Sequence, residues 1–192
     1  MSITLIRHGQ TDWNIEKRMQ GQLDININPK GVQQIHLLSK RLKNFKNWHR
    51  IYTSPLERAK NSAKILGEKW NLPVEEVEDL KELYFGDWQG MTYMEIESKY
   101  PDQWAMWHSQ GGLTQFPGAE KTILGMNRVI HCINQLIEKN QEPIVVVTHG
   151  TIIEIYDHYF LGISPEDMAM ESRLIGNGTA IHLENRVKME DD

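Results

Sequence analysis

Ile144-Val145-Val146-Val147-Thr148 is a run of five β-formers with no charged residue, bounded by Pro143 upstream and His149-Gly150 downstream. A strand with one wet face alternates apolar and polar side chains. An unbroken apolar run belongs instead to a strand covered on both faces, the situation of a central strand in a parallel sheet. Covering both faces takes helices, and the rest of the chain has to supply them.

It does so in alternation. Ile3 to Ile6 is a second strand-like run. Asn28-Pro29 opens a helix, Asn as N-cap and Pro at the first helical position, with Val32, Ile35, Leu38, Leu42 and Phe45 at helical spacing. Arg50 to Ser54 is the next strand, and Pro55 opens a helix whose narrow apolar face is Ala59, Ala63 and Leu66. Val74 to Leu80 reads as a third strand. Thr92-Tyr93-Met94-Glu95 is a capping box for a short helix ending before Pro101, and Asp102 caps another carrying Trp104 and Trp107. Gln110-Gly111-Gly112 to Gly118 is a flexible loop. Glu120 to Glu138 is the longest helical pattern, burying Ile123, Met126, Val129, Ile130, Ile133 and Ile137, with Cys132 at the edge of that face. A helix over Thr151 to Leu161 and a strand over Gly178 to Leu183 follow, and Glu190-Asp191-Asp192 is a frayed end. The expected fold is one α/β domain over residues 1–192, three layers (α/β/α) around a mostly parallel sheet, with a small helical cap inserted at about 91–118.

Composition narrows the partners. Twenty-one Lys and Arg against 26 Asp and Glu give a net charge of −5, so no basic excess points to nucleic acid. Cys132 is the sole cysteine, which rules out an intrachain disulfide and fits a reducing compartment. No signal peptide is evident at the start, and no apolar run approaches the roughly 20 residues that span a bilayer. A cytoplasmic protein without membrane partners is expected.

In doubly wound sheets ligands collect at the carboxyl ends of strands. Two strands here end alike, in Arg7-His8-Gly9 and in Thr148-His149-Gly150. Arg58 lies one turn into a helix that follows a strand, so its guanidinium can return over the same sheet edge. Two convergent arginine forks suit a phosphate or a carboxylate. A neutral histidine beside a bound phosphoryl group can attack phosphorus, and positive charge plus positioning supplies most of what phosphoryl transfer needs. Glu82, flanked by apolar residues in Leu80-Lys81-Glu82-Leu83, is placed to have a raised pKa and to protonate a leaving oxygen.

These segments together, Arg7-His8-Gly9, Ser54-Pro55-Leu56-x-Arg58-Ala59, Leu80-x-Glu82 with Gly86-x-Trp88-x-Gly90, and Thr148-His149-Gly150, resemble the histidine phosphatase superfamily, also called phosphoglycerate mutase-like. Within it the chain looks most like bacterial broad-specificity phosphatases and α-ribazole phosphatases. The resemblance implies His8 as the residue that becomes phosphohistidine, Glu82 as proton donor, and Arg7, Arg58 and His149 as the phosphate pocket. Asn14, Gln20 and Gly150 match positions that help hold the phosphate. Phe116-Pro117-Gly118-Ala119-Glu120 resembles the family's Pro-Gly-Gly-Glu-Ser stretch, with Ala119 and Lys121 as departures, and Lys121 is expected to face solvent. Gln10 stands where many members carry Glu.

The superfamily also contains mutases, which bring extra cations between the Gly-x-Trp motif and the second histidine. Here Lys99 is the only Lys or Arg between Gly90 and Gly118, a segment rich in Met91, Tyr93, Met94, Tyr100, Trp104, Met106, Trp107 and Phe116. That segment is expected to cap the site with an apolar, aromatic wall, more than half of these side chains serving the core. The expected activity is hydrolysis of small-molecule phosphate monoesters, a phosphoric monoester hydrolase needing no cofactor and no metal. The alternatives are a cofactor-dependent phosphoglycerate mutase and an idle phosphate-binding regulatory module. A metal-dependent hydrolase fits less well: His8, Asp12, Glu82 and His149 are ligand types, but no ligand-spaced cluster occurs and paired arginines beside a metal are costly. His36, His49, His108, His131, His158 and His182 are read as structural or solvent-facing, and Asp12 and Trp13 as loop-shaping. Composition leaves the oligomeric state open.

Overall fold

The computed structural model describes residues 2–43, 47–110, 114–167 and 175–184. Phe45, Gly111-Gly112 and the Glu190–Asp192 tail lie outside them. In chain order the elements are β1 (Ser2–Arg7), α1 (Asp12–Ile15), α2 (Pro29–Arg41), β2 (Ile51–Thr53), α3 (Glu57–Trp70), β3 (Val74–Glu76), α4 (Tyr93–Lys99), α5 (Pro101–Gln110), α6 (Thr122–Lys139), β4 (Ile144–Thr148), α7 (Gly150–Phe160) and β5 (Ala180–Glu184). The sheet order is β3-β2-β4-β1-β5, with only β5 antiparallel.

β4 is central and buried along its whole length. Its side chains alternate between two cores. Val145 and Val147 join Ile6, Ile35, Leu38, Ile51, Ala59, Ala63 and Leu66 under α2 and α3. Ile144 and Val146 join Leu5, Tyr52, Val129, Ile133, Ile152 and Ile153 under α6 and α7. Period-two geometry thus converts one continuous apolar run into two half-cores. Asn28 caps α2 through Gly31 N, and Thr92 and Glu95 form the capping box of α4.

Some boundaries move. β3 ends at Glu76 and gives way to a 3-10 turn over Glu78–Leu80. Val74 and Glu76 at this sheet edge are exposed, whereas Leu80 is fully buried and its carbonyl takes the Thr148 hydroxyl at 2.8 Å. Leaving the ladder early is what lets Leu80 reach the main core. α3 begins at Glu57 with Leu56 as N-cap, two residues past Pro55. α5 begins at Pro101, so Asp102 sits in its first turn rather than ahead of it. Ile123 is exposed, against expectation: the buried stripe of α6 runs through Thr122, Gly125, Met126, Val129, Cys132, Ile133 and Leu136, and Ile123 lies about 100° off it.

Candidate active site

The register of the sheet builds the site. Arg7 pairs with Thr148 across β1 and β4, so the residues that follow, His8 and His149, stand abreast at the carboxyl edge. The His8 amide donates to the Thr148 carbonyl at 3.0 Å, and the two imidazoles meet edge to face with centroids 5.3 Å apart. His8 is 2 % exposed. Its Nδ1 lies 2.7 Å from the Gly9 carbonyl, which can only accept, so the ring proton is on Nδ1 and the lone pair on Nε2. Burial, then the Arg58 and Arg7 guanidiniums, hold its pKa well below the ordinary imidazole value. Gly9 itself is pinned to α3 by Ser62 Oγ at 3.0 Å.

Arg58 is 1 % exposed, and its charge is compensated on three sides. Nη1 donates to the Leu23 carbonyl at 2.8 Å, Nη2 to the Gly21 carbonyl at 2.6 Å, and Nε to His149 Nδ1 at 3.2 Å. Donors remain on the guanidinium fork for an anion. Burial lowers its pKa to about 10, so it stays cationic at neutral pH. Because His149 Nδ1 accepts, its Nε2 carries the proton and donates to Ser54 Oγ at 2.8 Å. His149 therefore sits behind Arg58 and His8, fully buried and outside the pocket lining, where it holds the guanidinium. Arg7 reaches back to the Ile175 carbonyl through Nη1 and lies flat on Gly150, where a Cβ would meet Cζ at 3.2 Å. Its Nε is buried with no hydrogen-bond partner among the described residues.

These groups open into a cavity of about 130 Å³ lined by Arg7, His8, Asn14, Gln20, Arg58, Glu82 and Gly150, among others. Asn14 Oδ1 accepts from Thr11 N, Thr11 Oγ1 and Asn177 Nδ2, which leaves Nδ2 as its group for a ligand. Gln20 is 8 % exposed and its Oε1 has no hydrogen-bond partner among the described residues. Orphaned buried polar atoms cost about 1–3 kcal/mol each, and both Arg7 Nε and Gln20 Oε1 occur in this pocket. Glu82 is 8 % exposed and accepts from Leu83 N and the Thr151 hydroxyl, yet burial raises its pKa despite Arg58 and Arg7 nearby. The first turn of α7 adds its N-terminal dipole at Gly150 and Thr151. Among the described residues no group of three His, Cys, Asp or Glu is placed to hold a metal ion.

Of the eight cap residues expected as a wall, Tyr93 and Trp107 line the cavity. Phe116 is buried, Met91, Tyr100 and Trp104 pack on the core around Trp88, and Met94 and Met106 are exposed. Lys121 is exposed. Arg18, Phe85, Thr151 and Glu154 also line the pocket and were not expected there. A signal for Glu154 exists: it is an acid set among Ile152, Ile153 and Ile155.

The chain matches the histidine phosphatase superfamily (branch 1) over residues 3–185. It belongs to that family. Its relatives include the "Uncharacterized phosphatase PhoE" of Bacillus subtilis, 43 % identical over 101 residues, a match that covers 53 % of this chain and about half (52 %) of that protein. Glucosyl-3-phosphoglycerate phosphatase of Mycolicibacterium vanbaalenii is 28 % identical over 202 residues, covering 99 % of this chain and 87 % of the relative. Among solved structures, YhfR of Bacillus stearothermophilus superposes with a TM-score of 0.87 at 27 % identity, covering 95 % of this chain and 90 % of the other. The family's mostly parallel α/β sheet is the sheet seen here, and no helix among the described residues is long and apolar enough to cross a membrane.

Proposed function

We propose that this chain is a phosphatase that hydrolyses small-molecule phosphate monoesters through a phosphohistidine on His8. The observation that carries the reading is the setting of His8: buried, Nδ1 on the Gly9 carbonyl, Nε2 without a hydrogen-bond partner among the described residues, in a pocket it shares with Arg7 and Arg58. In the first step Nε2 bonds to phosphorus as the P–O ester bond breaks, and the Glu82 carboxyl gives its proton to the departing alkoxide. The Gly9 carbonyl, already on Nδ1–H, stabilises the charge that develops on the ring. In the second step water attacks phosphorus, Glu82 takes a proton from it, the P–N bond breaks, and phosphate leaves. Arg7 and Arg58 neutralise the equatorial oxygens, Asn14 Nδ2 donates to them, and a turn of the Gln20 amide brings its N–H₂ to bear. His149 acts through Arg58.

Phosphatase relatives and a cap without added lysine or arginine, Lys99 apart, favour hydrolysis over mutase chemistry. The cap, taken as about 91–118, leaves Tyr93 and Trp107 for the organic half of the substrate. Incubation with a ³²P-labelled aryl monoester and rapid denaturing quench is expected to trap an acid-labile, base-stable phosphoryl group. His8→Ala should lose that label and about a thousandfold or more of turnover. Turnover retained in His8→Ala, or hydrolysis with no trapped label under single-turnover conditions, would sink the reading.

A further inference from the structure

Two charged side chains line the pocket without a part in this cycle, Arg18 and Glu154. Arg18 is occupied: Nε donates to Glu16 at 2.9 Å and Nη1 to the Gly90 carbonyl. Glu154 is not. It is 7 % exposed, and its carboxyl makes no hydrogen bond or ion pair among the described residues. The side chain starts from a firm base, since Ile153 and Ile155 on either side are buried and His158 Nδ1 donates to the Glu154 carbonyl at 2.7 Å.

Its position along α7 gives it a direction to read. Gly150 carries Arg7, Thr151 on the following position hydrogen-bonds Glu82, and Glu154 is on the same face about 4.5 Å further along the axis. Tyr93 of the cap lines the same cavity as Glu82 and Glu154. Phe85, Tyr93 and Trp107 line that cavity with it.

We propose that Glu154 is a specificity-determining residue that takes the ammonium group of the substrate, so that the pocket selects phosphate monoesters of amino alcohols. This rests on the phosphatase reading above. A carboxyl next to aromatic rings matches a cation better than a hydroxyl, because ring faces attract positive charge while the carboxylate pairs with it. The charge balance agrees. Arg7 is the cation that offsets Glu154 in the free protein, and once a phosphate dianion is seated on Arg7 and Arg58 that charge is taken up, leaving Glu154 with Glu82, Asp157 and the dianion. Burial, then Glu82, push its pKa up to about 8. An ammonium supplies the missing partner.

The test compares phosphoethanolamine with propyl phosphate, which replaces the ammonium by a methyl group. Since the ammonium also improves the leaving group, the deciding quantity is how the ratio of the two kcat/KM values changes between wild type and Glu154→Gln. The wild-type ratio is expected to favour the amine, and the variant to lower that ratio by about tenfold or more, chiefly through KM. Glu154→Ala should lower it as well, which separates loss of charge from misfit of the amide. A wild type without preference for the amine, or a ratio unchanged in both variants, overturns the assignment. Calorimetric binding of the same two esters distinguishes the readings if neither is turned over. Tighter binding of phosphoethanolamine that Glu154→Gln abolishes would uphold the assignment and defeat the phosphatase reading; equal binding of both esters would defeat both.

Discussion

At the scale of single residues, the site is a set of ionisable groups held in the less charged or less solvated state by burial. His8 favours the neutral form because burial, then the nearby Arg58 and Arg7 charges, makes charging it costly. Its neutral form therefore persists well below pH 6.5, and the pH profile of kcat/KM should show no acid limb near that value. Glu82 is the opposite case. Burial raises its pKa, so its acid form outlasts the ordinary carboxylate range, and activity should fall on the alkaline side as that proton is lost. Glu82→Gln should remove this alkaline limb and cost about 10²–10⁴ in kcat on alkyl phosphates, far less on 4-nitrophenyl phosphate, whose leaving group needs no proton. Equal losses on both substrates would show that Glu82 is not the acid. That Arg7, His8, Arg58 and Glu82 meet in one pocket was legible because each follows a local rule: the end of a buried strand, one turn into a helix, an acid in an apolar loop. His149's place behind Arg58 was not, since which nitrogen faces which neighbour depends on a side chain 91 positions away.

At the scale of elements, the loop after β1 is shaped by the helix that follows it. A Cβ on Gly9 would lie 2.6 Å from the Gly31 carbonyl oxygen, and a Cβ on Gly31 would lie 2.3 Å from the Gln10 carbonyl oxygen. The first turn of α2 thus rests directly on the backbone that carries His8. This decides the sign of a substitution. Within a helix Gly→Ala ordinarily stabilises by about 0.5–1 kcal/mol; Gly31→Ala should instead destabilise by about 1–3 kcal/mol in urea unfolding, because the atoms it meets are backbone. Turnover should drop with it, as the loop is pushed off the sheet edge. A stabilised, fully active Gly31→Ala would show that the loop yields freely. The helix was readable from Asn28-Pro29 and its apolar spacing. The glycine contact was not, because two positions 22 residues apart become neighbours only when α2 crosses the sheet. The same holds for the cap, where composition announced aromatic residues but only their packing around Trp88 separates Tyr93 and Trp107, which face the cavity, from those that do not.

At the scale of the whole molecule, one sheet edge concentrates buried histidines and buried carboxyls, and this ties stability to pH from two sides. His8 and His149 have folded pKa values below 6.5, so the stability they permit is present above that pH and is lost as the pH falls and the unfolded chain takes up protons more readily. Glu154 works in the other direction. Its folded value of about 8 stands above the ordinary 4.5 of a glutamate, so the fold retains a proton that the unfolded chain releases. The stability this contributes is complete below about pH 4.5 and is lost as the pH rises through about 8. Glu154→Gln isolates that contribution, since an amide cannot ionise. The melting temperature of the variant minus that of the wild type should climb across this window and level off above about pH 9. The climb should correspond to roughly 2 kcal/mol, less than the full shift because a pocket wall open to solvent is partly screened. A difference that stays constant with pH would mean that Glu154 is already ionised or paired without added substrate, and would remove the physical reason for a cation to bind there.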